Sequence, residues 1–275
     1  MYNKVYVEIT NICNMHCSFC HGHSRPPRTM SEEEFVCILN KLEGHTKYIY
    51  YHLMGEPLIH PQLPHFIALA GAHGYKSILT TNGTLLHSRQ DALLNAGLHK
   101  VNLSLHSFEE GDPEDHARYV SSLADFAKRA ADAGTIVVFR LWNKGFDNDK
   151  NQWAMTLLKQ YIPGDWVKNT RGIRIRDRIF LELGERFDWP DLNAEVTGNR
   201  FSCYGLKTQI GILADGTVVP CCLDSDGIMN LGNIFQEDLE TILSSKRATD
   251  IYKGFQCGKA IEDLCKRCAF AQRFV

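Results

Sequence analysis

Val5-Tyr6-Val7-Glu8-Ile9 is followed by Thr10-Asn11-Ile12 and then by Cys13-Asn14-Met15-His16-Cys17-Ser18-Phe19-Cys20. An alternating strand thus runs straight into a loop holding three cysteines. A loop at the carboxyl end of a strand is where ligands bind in parallel sheets. Three thiolates at the spacing Cys13-x3-Cys17-x2-Cys20 can hold three irons of one cubane cluster. Zinc prefers four closed ligands and would need a fourth from His16, His21 or His23. A thioredoxin-like reading of Cys17-x2-Cys20 leaves Cys13 unexplained. Three thiolates leave one iron open, and an open iron is a substrate site.

Outward from that loop, strand and helix alternate. Ser31-Glu32-Glu33-Glu34 is a capping box, opening a helix with Phe35, Ile38, Leu39 and Leu42 on one face. Strands are expected at 48–53, 76–80, 101–105 and 136–141, and less sharply at 179–183. Helices are expected at 63–72, 88–96, 114–133 and 151–161. This pattern means a parallel sheet with helical crossovers. Five or six units suit a partial (β/α)6 barrel better than a closed eightfold one. In the fourth strand Val101, Leu103 and Leu105 alternate with Asn102, Ser104 and His106. The polar set would face a wet interior, which implies a pocket.

The chain has 275 residues, 44% hydrophobic and 23% charged, with a formal net charge of -2. That excludes wholesale disorder and a global basic field for nucleic acid. No run is long and apolar enough for a membrane span. Met1-Tyr2-Asn3-Lys4 leads directly into the strand, leaving no room for a targeting peptide, so a cytoplasmic location is expected. Ten cysteines in a reducing compartment favour metal ligation over disulfides. Cys37 alone stands apart, inside a helix, and reads as core. Pro, Gly and Asn cluster near 189–200, which divides the chain into a core domain, 1–195, and a small C-terminal domain, 196–275. In the latter, Gln209 to Leu213 and Val218 to Cys221 flank Asp215-Gly216, a β-hairpin signal, and a short helix follows.

The cysteine triplet, with Phe19 before its last member, resembles the signature of radical S-adenosylmethionine (SAM) enzymes. The resemblance continues in Met54-Gly55-Glu56-Pro57, where that family carries a Gly-Gly-Glu type motif, and in Asn82, Ser104, His106 and Arg140 at later strand ends. It implies a SAM-binding [4Fe–4S] cluster on Cys13, Cys17 and Cys20, whose open iron chelates the methionine part of SAM. Glu56 and the backbone near Gly55 would hold the ammonium group. Ser104 would meet the ribose or the carboxylate, Arg140 the carboxylate, and the Phe19 backbone the adenine. Asn82 is a further contact in this reading, or simply a turn residue. His52 and His106 are pocket liners. The chemistry implied is reductive cleavage of SAM to a 5′-deoxyadenosyl radical that takes hydrogen from a substrate. Met54, where the family more often has glycine, is a departure.

Six cysteines follow residue 200. Cys203, Cys221, Cys265 and Cys268 resemble the ligand spacing of auxiliary-cluster modules called Twitch and SPASM, implying a second [4Fe–4S] cluster; a zinc knuckle is the rival. Cys222 and Cys257 stay unassigned. An auxiliary cluster could accept the electron left on a substrate radical. Loss of a hydrogen atom, a proton and an electron is a dehydrogenation. The resemblance thus implies an oxidoreductase with a small-molecule or peptide substrate and a low-potential donor such as flavodoxin or ferredoxin. The alternatives are a peptide-modifying maturase (thioether, crosslink or epimerisation) and a non-catalytic iron–sulfur carrier or zinc module. Lys168, Arg171, Arg174, Arg176 and Arg178 face only Asp177 locally and could greet an anionic substrate or redox partner. Arg171 also resembles a substrate contact of Twitch enzymes.

Overall fold

The computed structural model describes residues 1–109, 111–146, 150–170 and 172–274. The strands are β1 (Lys4–Val7), β2 (Tyr48–Tyr51), β3 (Lys76–Thr81), β4 (Lys100–Ser104), β5 (Ile136–Lys144), β6 (Val167–Asn169), β7 (Gly172–Arg176), β8 (Ile179–Glu185), β9 (Gln209–Ile212) and β10 (Val218–Val219). The helices are α1 (Glu32–Lys41), α2 (Leu63–Ala72), α3 (Leu86–Asn95), α4 (Pro113–Asp132), α5 (Lys150–Tyr161), α6 (Leu239–Ser244), α7 (Lys246–Gln256) and α8 (Asp263–Lys266). Among the described residues the strands form one sheet in the order β10-β9-β1-β2-β3-β4-β5-β8-β7-β6. From β1 through β5 to β8 every pairing is parallel. That is the mixed α/β architecture expected, with six parallel strands and helical crossovers.

Alternation sorts the side chains. Val5, Val7, Ile49, Tyr51, Leu79, Val101, Leu103, Val137 and Phe139 are fully buried in the layer beneath the helices, which return Phe35, Leu39, Phe66, Leu123 and Phe126. Phe35 and Phe66 stack with ring centroids 4.4 Å apart, joining α1 to α2. Each such side chain contributes about 1.5–3 kcal/mol on burial. The Ser31 cap forms as read: its hydroxyl accepts from Glu34 N at 3.2 Å, and its own N–H reaches the Glu34 carboxylate at 2.9 Å.

Three expectations need adjustment. The sixth parallel strand is not reached directly from α5, because the antiparallel ribbon β6–β7 intervenes. The arginines there obscured the strand pattern. Arg174 pairs with Asp165 at 3.7 Å, and Arg176 with Asp132, so the charges have acids that local sequence did not reveal. Arg171 lies outside the described residues. Second, Asn102 does not face water. It is fully buried, donating from Nδ2 to Thr80 Oγ1 at 3.0 Å, and its Oδ1 has no partner among the described residues. Third, the C-terminal hairpin is continuous with the core. β9 lies parallel against β1, with Lys4 opposite Gln209 and Val7 opposite Ile212. Three short helices, rather than one, follow it. No helix among the described residues is long and apolar enough to cross a membrane.

Candidate active site

The cysteine loop leaves β1 and runs over the carboxyl ends of the strands. Cys13 and Cys20 are exposed and Cys17 is half-buried. Burial pushes the Cys17 thiol up to about 11, with Cys20, Glu109 and Cys13 adding to it. The loop is held by its flanks. Ser18 donates from backbone and hydroxyl to Glu109, each at 2.6 Å. The Trp189 indole N–H donates to the Phe19 carbonyl at 3.1 Å, and the Phe19 ring packs on His106 at 4.8 Å. His23 Nε2 lies 2.9 Å from the Asn11 carbonyl, and His21 stacks on Trp189. Among the described residues, no three His, Cys, Asp or Glu side chains converge closely enough to hold a single metal ion.

The loop after β2 packs directly on the strand-to-cysteine segment. Gly55 has φ +77°, and a Cβ there would stand 2.4 Å from the Thr10 carbonyl oxygen and 2.8 Å from Asn11 C. Only glycine fits. Glu56, only 2% exposed, turns its carboxylate onto the chain itself. It accepts from Thr81 Oγ1 at 2.7 Å, Asn82 N at 2.7 Å and Leu58 N at 3.0 Å. Burial raises its pKa against those three donors. The acid therefore braces the turn carrying Met54 and Gly55 against the end of β3. Asn82 is both a turn residue and a link. Its Oδ1 accepts from Thr84 N at 3.0 Å, while Nδ2 donates to Asn14 Oδ1 in the cysteine loop at 3.0 Å.

Sequence reasoning missed Glu8, which is fully buried at the end of β1. Its carboxylate takes both Arg25 Nη atoms at 2.7 Å, the Met54 N–H at 3.1 Å and the Ala214 N–H at 3.1 Å. An acid inside an otherwise apolar strand run was the available signal, since buried carboxylates need partners.

Within the sheet's interior lies a cavity of about 600 Å³. Tyr6, Arg140 and Glu182 line it from the strands, and His52 from the residue after β2. Cys203, Cys221, Cys222, Cys265 and Cys268 line it from the C-terminal segment. Arg140 sits 3.4 Å from Glu182 and 4.4 Å over the Trp142 ring. Burial lowers its pKa, and Glu182, Tyr6 and Tyr50 oppose that. Ser104 lies opposite Arg140 in the ladder and is half-buried. His106 points Nδ1 at the Arg140 carbonyl, 3.0 Å away. Thus Arg140 and His52 share one chamber with Cys203, Cys221, Cys265 and Cys268, while Glu56 and Asn82 tie the loops after β2 and β3 to each other and to the cysteine loop. The thiols are electrostatic neighbours: burial pushes Cys221 and Cys265 well up, and Cys203 adds to both. Cys222, half-buried, packs on Tyr6. Cys257 is exposed and lies outside the cavity lining.

His52 gives a pH prediction. Burial, then the charges of Arg140 and Lys4, push its pKa down to about 3, and its Nδ1 has no partner among the described residues. The fold therefore holds the neutral ring, whereas the unfolded chain protonates near 6.5. This stabilisation is complete above about pH 6.5 and is lost as pH falls toward 3, by up to ~1.4 kcal/mol per unit. Denaturant titrations at pH 7.5 and 5.5 should show a smaller loss for His52→Gln than for wild type. Equal losses would contradict the assignment.

Residues 7–151 match the family model of the radical SAM superfamily, and residues 203–269 that of SPASM, an iron-sulfur cluster-binding domain. A GTP 3',8-cyclase of Chlorobaculum tepidum is 32% identical over 166 residues, covering 57% of this chain and 50% of that protein. The chain thus spans about half of that relative's length. A protein of Methanococcus vannielii named "Probable GTP 3',8-cyclase" is 38% identical over 296 residues, covering 94% of this chain and 95% of the other. In structure the chain is similar to BtrN in complex with AdoMet and 2-DOIA, with TM-score 0.61 and 18% identity, over 98% of this chain and 93% of that one. That likeness is one of fold.

Proposed function

The chain belongs to the radical SAM superfamily, and on that premise we propose that it is a dehydrogenase-like oxidoreductase, with 1–195 as the core and 196–275 as the auxiliary module. It is an enzyme of the class that carries a SAM-binding [4Fe–4S] cluster, an auxiliary cluster and SAM. In this reading Cys13, Cys17 and Cys20 hold the first cluster, and Cys203, Cys221, Cys265 and Cys268 the second. The donors fit, since thiolates are the usual ligands of such clusters and the second set opens onto one cavity wall. When bound, the first cluster and SAM supply a carbon radical able to take hydrogen from a substrate C–H bond.

The chain's own residues do the rest. The Gly55 turn, braced by Glu56, would present backbone to the SAM ammonium. The Phe19 backbone, pinned by Trp189, would serve the adenine. Asn82 and Ser104 would serve the ribose. Arg140, which Glu182 and Trp142 hold in place, would bind a carboxylate. A donor of the flavodoxin or ferredoxin type supplies electrons. The observation that carries this reading is the single cavity walled by Arg140 and His52 on one side and by the auxiliary cysteines on the other. A substrate bound there stands close to an electron acceptor.

A second reading, cyclisation of a purine nucleotide, is favoured by the 38% identity over 94% of the chain to the Methanococcus vannielii protein. Lys4, Arg140 and Arg273 on the cavity wall would suit phosphates. Anaerobic, reduced enzyme with SAM should form 5′-deoxyadenosine. If added GTP accelerates this and is consumed, the cyclase reading replaces the dehydrogenase one. If GTP has no effect while a substrate's two-electron oxidation reduces the auxiliary cluster, the first reading holds.

A further inference from the structure

Glu8 and Arg25 form a buried charged pair that the proposed chemistry leaves unused. Each Glu8 oxygen accepts one Arg25 N–H and one backbone N–H. Oε1 receives Nη1 at 2.7 Å and Ala214 N at 3.1 Å, while Oε2 receives Nη2 at 2.7 Å and Met54 N at 3.1 Å. Arg25 continues outward, donating from Nε to the Ser225 carbonyl at 2.7 Å. Next to it, Ser24 donates from backbone and hydroxyl to Asp226 at 2.6 and 2.9 Å, and Arg28 Nε reaches the Ala214 carbonyl at 2.8 Å. Four segments therefore meet at one carboxylate: the end of β1, the exit of the cysteine loop, the turn before Gly55, and the 214–226 stretch of the C-terminal module.

The turn before Gly55 has no slack. Gly55 rests on the Thr10 and Asn11 backbone, and Glu56 N donates to the Ile12 carbonyl at 2.9 Å. The orientation of the Met54 peptide is thus set from below by Glu8. We infer that Glu8 is a positioning residue for SAM binding, which with Arg25 clasps the Met54–Gly55 turn and the cysteine loop to the C-terminal module, so that the module shapes the SAM pocket from outside it. This rests on the reading of the Met54–Gly55 turn as a SAM contact given above. Breaking one partner of a buried pair leaves an uncompensated charge. Removing both charges with side chains of similar size spares the fold and loses only the clasp.

The test uses iron-loaded, unreduced protein, so that SAM binds without being cleaved. Iron content and the SAM dissociation constant, by anaerobic equilibrium dialysis, are measured for wild type, Glu8→Gln, Arg25→Met and the double variant. The expected result is wild-type iron with SAM affinity weakened about tenfold or more, the scale of outer-shell losses at metal sites. The double variant should regain thermal stability without regaining SAM affinity. Hydrogen exchange on wild type guards against variants that fail to load. SAM should slow exchange in peptides covering 214–226 as well as in those covering 50–56. Wild-type affinity in any fully loaded variant, or protection confined to 50–56, overturns the inference. A wild type that loads iron yet binds no SAM overturns the underlying reading instead, and the inference with it.

Discussion

Anaerobic reconstitution of a Cys13→Ala/Cys17→Ala/Cys20→Ala variant is expected to give about four irons per chain, against about eight for wild type, one four-iron group per cysteine set. The variant should release no 5′-deoxyadenosine from SAM. In the proposed assignment the two losses are linked, because three thiolates would leave one iron of the four without a protein ligand. The four cysteines of the other set lie after residue 200 and line the cavity, Cys265 from α8, whereas the cavity lining includes none of the triplet. They should load normally in the variant. The reciprocal variant, Cys203→Ala/Cys221→Ala/Cys265→Ala/Cys268→Ala, should also hold about four irons but keep SAM cleavage in the absence of substrate. Four irons in wild type would remove the second cluster from the account, and zinc in place of iron would remove both.

Gly55→Ala is expected to be the most damaging single substitution. Two costs add. A left-handed φ of +77° costs a residue with a Cβ about 1–2 kcal/mol, and forcing the new methyl against the Thr10 and Asn11 backbone costs about 1–3 kcal/mol more. Neither neighbour can yield, because the contacted atoms are main chain at the root of the cysteine loop. The loop after β2 must lift, drawing Met54 from Glu8 and Glu56 from Ile12. A thermal midpoint lowered by several degrees and SAM cleavage reduced at least 100-fold are expected, read by calorimetry and by product release. Gly97→Ala serves as the control, since it has a similar φ of +83° with nothing within 4 Å. It should show the conformational cost alone. Equal effects at the two positions would show that packing on Thr10 does not matter.

Much of the fold was legible because the signals are local. The Ser31 cap, the Phe35-Ile38-Leu39 face and the alternation in β4 each depend on neighbours a few residues away. The cysteine positions were legible for the same reason, since chemistry and spacing are carried in short motifs. What could not be read depends on partners distant in sequence. Arg176 finds Asp132 only once α4 and β7 are adjacent. Glu56 in Gly-Glu-Pro reads, through the family resemblance, as a partner for the SAM ammonium, and only the arrival of Thr81 and Asn82 makes it a brace. Glu8 is the extreme case, because its partners come from residues 25, 54 and 214. The pairing of β9 with β1 was invisible too, as a hairpin signal says nothing about which edge it will join.

That pairing bears on how the protein matures. Lys4 cannot meet Gln209 until the chain is three-quarters made. At about 5–20 residues per second, the first strand therefore waits with one side bare for roughly 10–40 seconds while the ribosome works. Over that interval the unpaired N–H and C=O groups of β1 form an open sheet edge, the kind that pairs with other chains.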